Sequence, residues 1–183
     1  KGLVVSHEIA ETVIHVDARM TYTSVKKILE DRDFKELERY QEFVPLFQRM
    51  EELSLILRGR RMRRGSIDFD FPETKMILDE KGRPVEIKPY DRNVATRIIE
   101  DFMLAANETV AEDFFWQEIP FVYRTHDIPD EEKIKKLMTF IYNFGHTLHV
   151  ANKEIRPKEI QKLLAKIEGT PEEDLISRLA LRS

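Results

Sequence analysis

The residues best equipped for chemistry lie between Arg58 and Phe71. Five arginines, Arg58, Arg60, Arg61, Arg63 and Arg64, fall within seven positions, Gly65 interrupts the run, and Ser66-Ile67-Asp68-Phe69-Asp70-Phe71 follows with strand-like alternation. Guanidinium groups neutralise phosphates and flat rings stack on bases, so a cationic helix end feeding an aromatic strand suits a single-stranded nucleic acid. The same residues have a plainer use. Arginines in the last turn of a helix complement its dipole and solubilise the surface. Phe69 and Phe71, which share a strand face, suit a core equally well. Residue types alone leave both readings open.

Other candidate chemistry is thinner. His146 and His149 stand three apart, a spacing that can place two imidazoles on one metal, but no neighbouring cysteine or carboxylate completes a ligand set. Asp68 and Asp70 share a strand face and suit a divalent cation; they suit the solvated face opposite Ile67, Phe69 and Phe71 better. No glycine-rich phosphate loop and no serine elbow is present. No metal site is expected within these residues.

These groups must be positioned by elements that the pattern makes legible. Residues 3–16, rich in Val, Ile and His, read as one long strand. Ala18 to Tyr22 reads as a loop, and Thr23 or Ser24 as the cap of a short helix from Val25 to Glu30. Tyr40, Phe43, Val44, Phe47, Met50, Leu53 and Leu57 recur at helical spacing, which predicts a long helix from about Lys35 to Arg63, broken or kinked at Pro45 and stopped by Gly65. Strands are expected near 66–71, 74–79 and 85–88, the last two joined by a turn with Gly82. Helices are expected from Arg92 to about Trp116, from an opening Pro129-Asp130-Glu131-Glu132 to about Phe144, closed by Gly145, and from Pro157 to near Gly169, and Thr170-Pro171-Glu172-Glu173 reads as a capping box opening the last one. Phe121–His126 reads as a short strand. The resulting fold class is α+β, with antiparallel strands packed against several helices.

Composition narrows the function classes. A chain of 183 residues can build one domain with a sizeable core. A net charge of −4 argues against a generally basic nucleic-acid binder and leaves room for a local cationic patch. The absence of cysteine rules out disulfides and thiolate metal sites and suits a reducing compartment, with the cytoplasm as the expected location. No apolar run approaches the length of a membrane span. The opening Lys1-Gly2-Leu3-Val4-Val5 and the closing Leu179-Ala180-Leu181-Arg182-Ser183 carry no start or stop signal, so both ends are expected to be cut rather than finished.

Five blocks in order carry a family resemblance: Arg19-Met20-Thr21-Tyr22; Arg64-Gly65-Ser66-Ile67-Asp68-Phe69; Arg92-Asn93 with Ile99-Glu100-Asp101-Phe102-Met103-Leu104-Ala105-Ala106-Asn107; Tyr123-Arg124-Thr125-His126; and Leu181-Arg182-Ser183. In these the chain resembles the RNB-type 3′→5′ exoribonucleases, ribonuclease R and ribonuclease II, over essentially its whole length. The resemblance implies that the chain is an internal part of one RNB catalytic domain. It implies a catalytic-centre role for Tyr22 near the scissile phosphate and base stacking at the RNA 3′ end for Phe69. It also implies that Glu100 and Asp101 face the terminal nucleotide; Asp101 stands where glutamate is frequent. Arg63 and Arg64 are the expected phosphate contacts.

The family's magnesium-binding run, Asp-x-x-Asp-Ala-x-Asp-x-Asp-Asp, does not occur in this sequence, nor does its Ser-Pro-Ile-Arg-Arg block. The expectation is therefore part of a processive, Mg²⁺-dependent exoribonuclease that releases nucleoside 5′-monophosphates, with these residues inactive alone and holding no metal themselves. Two alternatives stay open: a non-catalytic RNA-binding or regulatory module of RNB shape, and a plain structural domain whose arginine run is only solvated. The expected partner is the 3′ end of a single-stranded RNA, without a membrane, and self-association through residues 3–16 and 171–183 is also expected.

Overall fold

The computed structural model describes residues 2–67, 74–89, 92–125, 129–149 and 155–183. They form two compact units, residues 1–60 with 91–123 and residues 61–90 with 124–183. The architecture is α+β, with helices dominating. Among the described residues no helix is long and apolar enough to cross a membrane.

The first unit begins with α1 (Tyr22–Lys26), whose N-cap is Thr21: its Oγ1 accepts from the Ser24 amide at 3.1 Å. The cap thus lies two or three residues earlier than expected, and Tyr22 starts the helix instead of closing a loop. A π-turn (Lys27–Asp31) continues α1 and ends at Arg32, whose φ of 54° breaks the helix. α2 (Phe34–Arg39) is capped by the Asp33 carboxylate. A 3₁₀ turn (Gln41–Phe43) then leads into α3 (Val44–Arg64), with Pro45 at its second residue. Proline has no N–H for the preceding turn but fits a first turn, so the single periodic stretch becomes two helices separated by the Gln41–Phe43 turn, with Pro45 in the first turn of the second.

α4 (Val94–Trp116) opens with a full capping box, in which the Asn93 side chain accepts from Ala95 and Thr96 and the Asn93 amide donates to Thr96 Oγ1. The Glu30 carboxylate accepts from the Val94 amide at 2.7 Å and so ties the π-turn to the start of α4. Ile28, Leu29, Phe47 and Ile98 form the buried centre of this unit, flanked by Met20, Val25, Met50 and Phe102. α1, α3 and α4 therefore share one apolar core.

Two strand expectations fail here. Residues 3–16 join no ladder and most of their apolar side chains stand in solvent, Val5 and Val13 almost fully. A strand is defined by its partner, and alternation cannot supply one. The segment is held by other contacts: Gly2 O accepts from Arg60 Nη1 at 2.7 Å, and His7 Nε2 lies 3.0 Å from Asp113 Oδ1. Residues 121–125 also join no ladder. Phe121 instead packs on Phe114, 4.9 Å between ring centres, and on Tyr123 at 5.3 Å, so aromatic contact replaces pairing.

The second unit contains β1 (Thr74–Leu78) and β2 (Pro84–Pro89), an antiparallel hairpin in which Met76 faces Ile87 and Lys75 faces Lys88. Asp79 shapes its turn, with Oδ1 accepting from the Lys81 and Arg83 amides at 2.8 Å each. Gly82 takes φ 75° there. α5 (Glu131–Tyr142), α6 (Pro157–Ile167) and α7 (Glu173–Leu181) bury Leu137, Ile141, Ile160, Leu163, Ile167 and Ile176 against one another. The expected capping box of α7 does not form. The Thr170 hydroxyl donates back to Ile167 O at 2.7 Å, and the Glu173 carboxylate accepts from the Gly169 amide. The third expected strand falls on residues 66–71, of which Ser66 and Ile67 join no ladder and 68–71 lie outside the described residues.

Candidate functional site

Tyr22, Glu100 and Asp101 belong to the first unit and are carried by α1 and α4, which pack on one core. Tyr22, the first residue of α1, is about half exposed, at 46%. Its hydroxyl is thus presented on a helix start whose backbone is fixed by Thr21. Glu100 and Asp101 are consecutive on α4 and therefore point about 100° apart. Glu100 is partly exposed, and its two carboxylate oxygens lie 3.3 and 3.1 Å from Arg92 Nη2, so the residue just before the α4 cap restrains it.

Asp101 points inward and is only 2% exposed. Its Oδ2 accepts from Ser54 Oγ at 2.6 Å and from Arg58 Nε at 3.2 Å, with Arg58 Nη2 at 3.1 Å. Ser54 and Arg58 are four apart on α3 and so share a helix face. The arrangement is a buried ion pair that fastens α3 to α4. Sequence reasoning placed Arg58 in the cationic run and overlooked Ser54. The four-residue spacing was readable, but nothing in the sequence marked Asp101 as its partner.

Arg63 and Arg64 belong to the second unit, at the last two residues of α3, and both are exposed. Gly65 follows with φ 103°, the Ser66 amide donates to Arg61 O at 3.1 Å, and the Gly65 amide donates to Met62 O at 3.1 Å. These bonds satisfy carbonyls that the helix end would otherwise strand. A Cβ at Gly65 would meet Lys158 N at 3.6 Å and Pro157 Cβ at 3.7 Å, which is ordinary contact. Backbone conformation, not space, is what requires glycine there. Phe69, the expected stacking residue, lies outside the described residues, as do Asp68, Asp70 and His126.

Among the described residues no group of three or more His, Asp or Glu side chains is placed to hold a metal ion. His146 is buried and its Nε2 lies 3.2 Å from Glu172 Oε1. This contact holds the Glu172 carboxyl below the usual glutamate range, the hydrogen bond from His146 being the main cause. The residues described here thus offer Mg²⁺ no ligand set.

Known proteins resemble the chain throughout. The sequence pattern of the RNB domain matches residues 1–183. Ribonuclease R 1 of Lactococcus lactis is 39% identical over 183 residues, covering all of this chain and 22% of its own length. Ribonuclease R of Aquifex aeolicus is 40% identical over 182 residues, covering all of this chain and 26% of its own. The chain thus spans about a quarter of the length of the relatives it matches. In fold it is similar to Mycoplasma genitalium RNase R solved with ribose-methylated single-stranded RNA, with a TM-score of 0.74 and 24% identity over 88% of this chain and 25% of that one. The same enzyme solved with double-stranded RNA superposes with a TM-score of 0.75, over 88% of this chain and 28% of that one. With the family pattern matched from Lys1 to Ser183, the chain belongs to the RNB-domain family.

Proposed function

We propose that the protein carrying this chain is a processive, Mg²⁺-dependent 3′→5′ exoribonuclease of the ribonuclease R type, releasing nucleoside 5′-monophosphates in the cytoplasm. The carrying observation is the end-to-end match to the RNB domain and to ribonucleases R. Residues 1–183 are proposed to be part of one catalytic domain. Exposed Arg63 and Arg64 supply positive charge for phosphates, and Phe69 a ring for the 3′-terminal base. Tyr22 acts at the scissile phosphate. Glu100, restrained by Arg92, and Asp101, which acts through its hold on α3, shape the pocket of the terminal nucleotide. Mg²⁺ in such chemistry activates water and offsets charge on phosphate. The described residues offer no group of three or more ligands to hold it.

The test uses a 5′-labelled single-stranded RNA with Mg²⁺. The whole protein is expected to shorten it progressively from the 3′ end, and a polypeptide of these 183 residues alone is expected not to. Tyr22→Ala in the whole protein is expected to slow turnover about tenfold, near 1.4 kcal/mol of transition-state stabilisation, with RNA affinity kept. Tight RNA binding by the whole protein without shortening would replace this reading with that of a non-catalytic RNA-binding module.

A further inference from the structure

We infer that the outward face of α6 is a phosphate-binding track, on which Lys158, Lys162 and Lys166 hold RNA backbone beside the arginines that end α3. The inference deepens the proposed function and rests on its reading of the protein as one that binds RNA. The residues involved are all described and all belong to the second unit. Lys158, Lys162 and Lys166 are four apart, so they follow one side of the helix in steps of about 6 Å. All three are exposed, while Ile160, Leu163 and Ile167 face the core from the other side.

α6 meets the end of the arginine run directly. Gln161 Nε2 donates to Met62 O and to Ser66 O at 3.1 Å each, which ties α6 to both sides of the Gly65 turn. A Cβ at Gly65 would lie 3.6 Å from Lys158 N and 3.8 Å from Lys158 Cγ, so the stem of Lys158 starts beside that turn. Arg63 and Arg64 stand exposed just before it. Charge is segregated in this part of the unit. Residues 61–67 and 156–166 together carry seven Arg and Lys side chains and one carboxylate, in a chain whose net charge is −4. A helix face that serves solubility alone mixes both signs, as α5 does where Glu131 pairs with Lys135. The one carboxylate, Glu159, lies 2.6 Å from Lys162 Nζ. The lysine of that pair is exposed, and exposed pairs are weak enough for a phosphate to displace the carboxylate. Lysine meets phosphate as a point charge, and contacts of that kind position a nucleic acid without reading its bases.

The experiment measures affinity of the whole protein for a single-stranded RNA and for a stem-loop RNA over a series of salt concentrations, without divalent cations so that the RNA is not shortened. Lys158→Gln, Lys162→Gln and Lys166→Gln combined are expected to weaken binding and to flatten the plot of log affinity against log salt. For the single strand the slope should fall by about two, the change for three lost phosphate contacts. The loss should be the same for RNAs of different base sequence, and arginine at the three positions should restore the slope. A slope reduced with the single strand alone, or with the stem-loop alone, upholds the track and assigns it to unpaired or to paired RNA. An unchanged slope in the glutamine variant, an equal loss in the arginine variant, or a loss confined to one base sequence would each overturn the inference. So would a lowered melting temperature with weaker binding at an unchanged slope, the result expected if another part of the protein covers these lysines. Failure of the unaltered protein to bind either RNA would overturn the proposed function and the track with it.

Discussion

A carboxylate as enclosed as that of Asp101 is tolerated because Ser54 and Arg58 meet it with hydrogen-bond donors. Removing the guanidinium leaves a buried charge undercompensated, and such losses exceed what the intact pair contributes. Arg58→Ala is therefore expected to destabilise the protein by about 3 kcal/mol or more, read from chemical denaturation. A loss below about 1 kcal/mol, as for exposed pairs, would show that water replaces the guanidinium there. Residue type is visible in a sequence and burial is not, so Arg58 is indistinguishable there from exposed Arg60, Arg63 and Arg64. Arg63 and Arg64, at the end of the same helix, are exposed.

Elements with strong local signals formed as the sequence indicates. α4 has an apolar face, an Asn-x-x-Thr start and no proline, and its capping box is complete. Asn93→Ala removes acceptors for the Ala95 and Thr96 amides and is expected to cost about 1 kcal/mol, measured by urea unfolding. An unchanged unfolding midpoint would mean that Glu30, which binds the Val94 amide, secures the helix start by itself. The elements that departed from expectation depend on competing partners. Thr170 had both a capping role and a backbone carbonyl within reach, and it took the carbonyl of Ile167. Residues 3–16 and 121–125 have strand composition, yet ladders need a second strand and aromatic or ionic contacts prevailed instead.

At the scale of the whole molecule, three carboxyls of the second unit are held below their ordinary range. Glu172 is lowered chiefly by His146, Asp130 by the Lys133 amide and Glu159 by Lys162. An acid with a depressed folded-state pKa binds protons more readily when unfolded. Its stabilisation is complete above the unfolded value, here 3.8 for Asp and 4.5 for Glu, and disappears as pH falls through the folded value. The unfolding temperature is expected to drop as pH is lowered below about 4.5, and less steeply in Glu172→Gln. Parallel curves for the two proteins would remove Glu172 from the account. The apolar side chains of residues 3–16 have a different consequence, since exposed segments with unpaired backbone groups invite pairing with another copy. Sedimentation of the 183-residue polypeptide at micromolar concentration should show association, and Val13→Lys should reduce it. A monomer at all concentrations would end that expectation. α7 is the weaker surface, because Ile176 and Ala180 are already buried in the core of the second unit.

What the sequence determined alone is what local physics controls: a helix break just before Pro45, the stop at Gly65, the hairpin turn at Gly82 and the apolar faces of α4 to α6. Its ordered motif blocks also led to the RNB family, and relatives matched along the whole chain bear this out. Only the tertiary structure decided that Asp101 turns inward to Arg58, that Glu30 caps a helix 64 residues away and that Gln161 bonds both sides of the Gly65 turn. These contacts join residues distant in the chain. Their energy depends on burial and on donor–acceptor geometry, which side-chain spacing along a sequence does not encode.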